Sequence, residues 1–247
     1  MPSIRAGLVW GIMGWLALAS IIVAQDSRIQ VEPSQWWSDV EKVEDTLRSG
    51  KWKSGAKKAQ RLVDEVVRKS WRGPELKKVL SRLALLQAIA EANLGKDREA
   101  IWHWHVACNL DFRVRKTDFS GWGEAGKLLL EYPLRKRGGV PVGFDPLKPA
   151  LTDHVRPPAV QRQAVPPVVL ENTGAALDHR GDLEVEVIVD QDGVLHHPVV
   201  LSELNPVIVY ATLQSLFERK PFIPGTVNGE ARDFVFDITV QYHVERW

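Results

Sequence analysis

The chain has 247 residues, 32 Lys+Arg against 31 Asp+Glu, a formal net charge of +1 and a single cysteine. That length suits one or two domains with cores of their own, and one cysteine excludes an internal disulfide framework. The near balance of charge conceals a split: residues 1–150 carry 25 basic and 17 acidic side chains, net +8, whereas residues 151–247 carry 7 and 14, net −7. Opposite halves of this kind either attract each other or recognise different partners. The lysines of the basic half are interspersed with acids along helices, which describes a solvated face and gives no reason to expect nucleic acid.

At the N-terminus, Arg5 precedes an uncharged, mostly apolar run from Ala6 to Ala24, followed by Gln25-Asp26-Ser27-Arg28. A basic start, an apolar middle and a small-residue end predict a signal peptide cut after Ala24. Ile22 at position −3 is bulkier than usual, and the run of 19 residues is nearly long enough to span a bilayer, so a retained anchor is the alternative for residues 1–24. Both readings export the remainder: to the periplasm if cut, or to its inner-membrane face if anchored.

Residues 34–134 carry a helical apolar period. Trp36, Val40, Val43 and Leu47 form one stripe, ended by Gly50; Trp52, Ala56, Ala59, Leu62, Val63 and Val66 form a second. Val79, Leu80, Leu83, Leu86 and Ile89 follow Pro74, then Ala100, Ile101, Trp104, Ala107, Cys108 and Leu110 follow Gly95, and a short helix is expected near Gly123–Glu131. Trp36, Trp52 and Trp104 lie on the stripes and read as core, as does Cys108 as a small buried thiol. Trp37, Trp71 and Trp102 fall off the stripes and are candidate contacts on the helical surface. The turns Gly50-Lys-Trp52-Lys-Ser-Gly55-Ala56 and Gly95-Lys-Asp-Arg-Glu-Ala100-Ile101 share a pattern. With Leu94, Trp104, Ala107, Leu110 and Asp111, the second resembles a tetratricopeptide hairpin, a likeness covering about residues 35–112; generic helical hairpins are the alternative.

Eight of the fifteen prolines lie between Pro133 and Pro167, predicting an extended connector over residues 135–165 without a regular element of its own. Beyond it the period becomes two. Leu183, Val185, Val187 and Val189 alternate with Glu184, Glu186, Ile188 and Asp190, then Gln191-Asp192-Gly193 turns the chain into a returning strand whose Pro198 requires an edge or a bulge. Asn205-Pro206 opens a helix bearing Val209, Leu213, Leu216 and Phe217. Asn228-Gly229 marks another tight turn, and Phe234, Phe236, Ile238, Val240 and Tyr242 form one face of a last strand. The fold class is therefore α+β in two domains, helical hairpins followed by a ββαβ sheet-plus-helix unit over residues 166–247.

Asp190-x-Asp192-Gly193 and His196-His197 invite a metal reading, which their spacing refuses. Counted as a calcium loop from Asp190, the fifth, sixth and twelfth positions hold Val194, Leu195 and Leu201. Neighbouring residues on a regular strand point to opposite faces, so His196 and His197 do not pair. His103 and His105, two apart on a helix, point about 200° apart. No nucleophile–base, metal-ligand or phosphate-loop spacing is assembled, so no catalytic residue, cofactor or metal is assigned and an enzyme is not expected.

Gly181 before an alternating strand, Val189-Asp190-x-Asp192-Gly193-x-Leu195, Val200-x-Ser202, Lys220-Pro-Phe222-x-Pro224, Asn228-Gly229 and the long final strand, in this order, resemble the C-terminal domain of TonB-type energy transducers over about residues 166–244. The resemblance implies a non-enzymatic periplasmic module that pairs a sheet edge with an extended peptide, in that family from an outer-membrane transporter. Backbone groups at such an edge lack partners and can receive one. The strand carrying Asp233, Val235, Asp237, Thr239, Gln241 and His243 is the candidate edge. The chain departs from the family in having Pro166-Pro167-Val-Val-Leu without a tyrosine, and Ser20 without a histidine in the apolar run. The expectation is thus an exported envelope binding or adaptor protein, with a membrane-anchored transducer for outer-membrane transport as the alternative.

Overall fold

The computed structural model describes residues 19–21, 23–24, 33–69, 75–131, 141, 143–147, 154–159, 170–171, 179–218 and 222–244. Among these, six α-helices occur: α1 (Pro33–Arg48), α2 (Trp52–Lys69), α3 (Leu76–Asn93), α4 (Asp97–Leu110), α5 (Ala125–Glu131) and α6 (Pro206–Glu218). The strands are β1 (Ala19–Ile21), β2 (Val23–Ala24), β3 (Val155–Arg156), β4 (Leu170–Glu171), β5 (His179–Val189), β6 (Leu195–Val200), β7 (Thr226–Val227), β8 (Glu230–Ala231) and β9 (Phe234–Val244). The class is α+β, with five helices between β1 and β5 and a sixth between β6 and β7.

In the helical half the predicted stripes are the buried faces. Trp36, Val40, Val43 and Leu47 of α1 meet Ala59, Leu62, Val63 and Val66 of α2, and both lie against α3. The hairpin between α1 and α2 closes tightly because Gly55 has no side chain: a Cβ there would collide with the Leu47 side chain. Glu44 of α1 accepts from Arg48 one turn on (3.0 Å) and from Arg82 of α3 (2.6 Å). Burial raises the pKa of that carboxyl, but its hydrogen bonds and charge attraction with Arg82 and Arg48 outweigh the rise and hold it below the ordinary value. Cys108 is buried, and burial pushes its thiol up to about 12, far from the thiolate a nucleophile needs.

The main sheet has the order β1-β9-β5-β6. β5 lies between β9 and β6 and is antiparallel to both, while β1 pairs in parallel with residues 242–244 of β9. Leu183, Val185 and Val187 of β5 and Phe234, Ile238 and Val240 of β9 bury one face. The Asp190–Gly193 stretch is a turn. Asp190 Oδ1 accepts the N–H groups of Asp192 (2.9 Å) and Val194 (2.8 Å), and its second oxygen lies 2.7 Å from His196 Nε2. Burial raises the pKa of this carboxyl, yet those three hydrogen bonds hold it below its ordinary value. Gly193 has φ +78°, and a Cβ would strike the Phe222 backbone, whose N–H donates to the Gly193 carbonyl at 2.7 Å. The turn therefore also anchors the return from α6.

The two halves are packed together, their buried residues forming one hydrophobic cluster. Helix α6 joins them: Val207, Ile208, Val209, Tyr210, Leu213 and Leu216 are all buried. A helix apolar on most sides needs cover on more than one face, and α6 has the sheet on one side and α3 and α4 on the other. Each ion pair among the described residues joins side chains of the same half. The connector also departs from expectation. Val155–Arg156 pairs antiparallel with Thr226–Val227, Ala159 bridges to Ile223 and Leu147 to Phe234. Prolines remove donors only at their own positions, so the intervening residues remain able to pair. Among the described residues no helix is long and apolar enough to cross a membrane; residues 1–18 lie outside them.

Candidate functional site

A strand at a sheet margin leaves every second backbone N–H and C=O without a partner. The β6 margin is closed by a helix. Pro198 sits in this strand at a bulge: Glu186 pairs with Val199 but Ile188 with His196, so β6 carries one extra residue. His197, within the bulge, has φ +50°, a left-handed conformation uncommon outside glycine. Asn109, near the end of α4, then acts as a short substitute strand. Its Nδ2 donates to the Pro198 carbonyl (2.8 Å), and its Oδ1 accepts the Val200 N–H (2.9 Å).

Around this clamp the closure is dense. His105 Nε2 and His197 Nδ1 lie 2.8 Å apart, one ring donating and the other accepting. Trp102 stacks at a tilt on Phe217, with centroids 5.3 Å apart, and the Arg98 guanidinium lies over the other aromatic at 4.5 Å. Tyr210 donates to Gln87 Oε1 (2.8 Å), and Gln87 donates to Gln60 (2.6 Å), tying α6 to α3 and α2. Burial raises the Tyr210 pKa. His103 Nδ1 is 2.6 Å from Glu91 Oε2, with Gln214 at 3.4 Å on its other nitrogen. Burial lowers the pKa of this imidazole, but the Glu91 charge and its hydrogen bonds raise it further, leaving a net rise.

The β9 margin differs. Leu147 accepts the Val235 N–H (2.9 Å) and donates to the Asp233 carbonyl (2.8 Å), which shows that odd-numbered residues aim their backbone groups away from β5. The register with β5 runs unbroken along β9, so Asp237, Thr239 and Gln241 aim theirs the same way. Among the described residues, nothing pairs with that side between the Leu147 bridge at Phe234 and the start of β1 pairing at Tyr242. The candidate edge residues therefore lie along β9, with Asp233 directly before it, and share one backbone direction. Val235 is buried and Asp233 half-buried, while Asp237 and Thr239 are exposed; the Gln241 and His243 side chains lie outside the described residues.

The helical candidates fare differently. Trp102 is a correction: it is 2% exposed, inside the α4–α6 contact, because α6 covers the helix face its position suggested was free. Trp37 is half-buried and packs against the core, and Trp71 lies outside the described residues. A second correction concerns His196 and His197. The bulge removes the strict alternation of a regular strand, and both rings lie against Phe144, at 5.0 and 5.4 Å. His196 still pairs with Asp190 and His197 with His105, and no group of three or more His, Cys, Asp or Glu among the described residues is placed to hold a metal. The clamp residues Asn109, Gln87 and Tyr210 were not anticipated. The available signal was Val207-Ile-Val-Tyr210, an unbroken apolar start to a helix that a single buried face does not need.

No protein-family model, curated protein or solved structure matches this chain.

Proposed function

We propose that this protein is an exported, non-enzymatic binding or adaptor protein of the cell envelope. On this reading its ββαβ unit, similar to TonB C-terminal domains, takes up an extended peptide as a further strand beside β9, and its tetratricopeptide-like helical hairpins brace that unit from the opposite side. The observation that carries the reading is the contrast between the two margins. Asn109 meets the Pro198 and Val200 backbone groups of β6, whereas those of Asp237 and Thr239 on β9 have no partner among the described residues. Strand addition uses such groups for affinity and the alternating side chains for specificity. The partner is a protein or peptide of the envelope, such as a segment of an outer-membrane transporter. Cleavage after Ala24 would remove β1 and extend the open edge to Val244.

The second reading, a membrane-anchored transducer, draws on the length of the uncharged run from Ala6 to Ala24. Sequencing the mature N-terminus separates the two, since a chain beginning at Gln25 holds no anchor. The binding reading is tested by co-purification from envelope extract with the full chain, compared with Thr239→Pro. Proline there deletes an outward N–H without removing a bond to β5. An envelope protein retained by the parent and released by the variant is the expected result, and equal retention by both would overturn strand addition.

A further inference from the structure

The face of the sheet turned away from α6 carries its charge beside the open margin. Asp182 and Glu184 are exposed on β5, and Asp237 is exposed on β9. In register, Asp182 stands opposite Gln241, and Glu184 opposite Thr239. These three carboxylates make no ion pair among the described residues. The opposite face at this margin is apolar: Phe236 is half-buried against Phe222, with ring centroids 6.5 Å apart, and Ile238 and Val240 are buried.

A strand added here would lie about 5 Å from β9, its side chains alternating between these two faces. Residues turned to the charged face would stand beside Asp237 and Thr239. The short Thr239 side chain leaves room for a long cation to lean across it toward Glu184, one strand further in. Residues turned the other way would extend the apolar layer at Phe236 and Ile238. A second copy of β9 is a poor occupant, because it would bring its own Asp237 against the same acidic face.

Resting on the strand-addition reading above, we propose that the segment taken up by β9 is an amphipathic basic strand, with Lys or Arg at alternate positions and apolar residues between them. The backbone edge sets where the segment binds, and the carboxylates select its charge.

Fluorescence anisotropy of the full chain with labelled alternating Lys–Val and Glu–Val peptides tests this, with amide exchange at Asp237 and Thr239 as the readout of site. The expected result is about tenfold tighter binding of the Lys–Val peptide at low salt, a preference shrinking as salt rises, and protection of both amides. Asp237→Lys with Glu184→Lys should reverse the preference, and the milder Asp237→Asn should reduce it while keeping the surface close to the parent's. Equal binding of both peptides with both amides protected would overturn the charge assignment and leave strand addition standing. Binding of neither, with the amides unchanged, would overturn both. A concentration-dependent dimer that protects the two amides would assign the edge to a second copy and overturn the basic partner.

Discussion

The sheet has two margins, and the chain treats them oppositely. At β6 a proline, a bulge and a left-handed histidine break the regular ladder, and the disrupted edge is then closed by a side-chain amide from another part of the molecule. At β9 the ladder with β5 is regular from end to end, carries no proline and, among the described residues, leaves the outer side open over its middle. A simple expectation puts regularity where the strand is packed and irregularity where it is free. The reverse makes physical sense. A bulged strand cannot template a straight partner, so closure by a helix is the better solution there, whereas a straight edge with uniform spacing can accept one. The difference teaches that an open edge gains meaning when the same molecule has closed the other.

Trp102→Ala breaks the closed side most severely. Truncating a fully buried tryptophan between α4 and α6 should cost about 3–5 kcal/mol, read as a large fall in the urea midpoint. Loss of less than about 1 kcal/mol would mean that the halves do not depend on this contact. Asn109→Ala follows, leaving the Pro198 carbonyl and the Val200 N–H without their partner at a cost of about 1–3 kcal/mol. The same variant should lose exchange protection at Val200 while β9 keeps its pattern; an unchanged Val200 amide would argue against the clamp.

A smaller effect comes from His103, which reaches from Glu91 on α3 to Gln214 on α6. Its pKa in the folded chain is raised above the ordinary 6.5. The stabilisation it supplies is therefore fully present below that ordinary value and is lost as pH rises through the elevated one. The parent should lose stability over that interval, and His103→Gln should lose less; parallel pH profiles would contradict the assignment. Smallest is Asp237→Asn on the open edge, expected within about 0.5 kcal/mol of the parent because the side chain is exposed. A loss comparable to that of Asn109→Ala would mean that the β9 edge is not open.

Much of the fold was legible because it rests on local pattern. The stripes of α1 to α4, the Asp192-Gly193 and Asn228-Gly229 turns, and the buried face of β9 follow from period and turn chemistry. Pro198 announced an edge or a bulge, and both occur. The docking of the halves was hidden for a different reason. It depends on Asn109, His105, His197, Gln87 and Tyr210 meeting across about 90 to 120 positions of chain, and a polar residue in an apolar stripe does not name its partner. Trp102 was misplaced by the same gap, since a position off one stripe is free only if no second layer covers it. The charge split was visible but did not mark the contact, because the described contacts between the halves are made by aromatic, amide and imidazole groups and by Arg98 over Phe217.

The central claim is the open margin of β9, and amide hydrogen exchange resolved along that strand in the unliganded full chain tests it most directly. The account predicts slow exchange at Phe236, Ile238 and Val240, whose N–H groups face β5, and fast exchange at Asp237 and Thr239, whose N–H groups face outward. Protection at Asp237 and Thr239 equal to that of their even-numbered neighbours would show the edge already occupied, and would contradict the account.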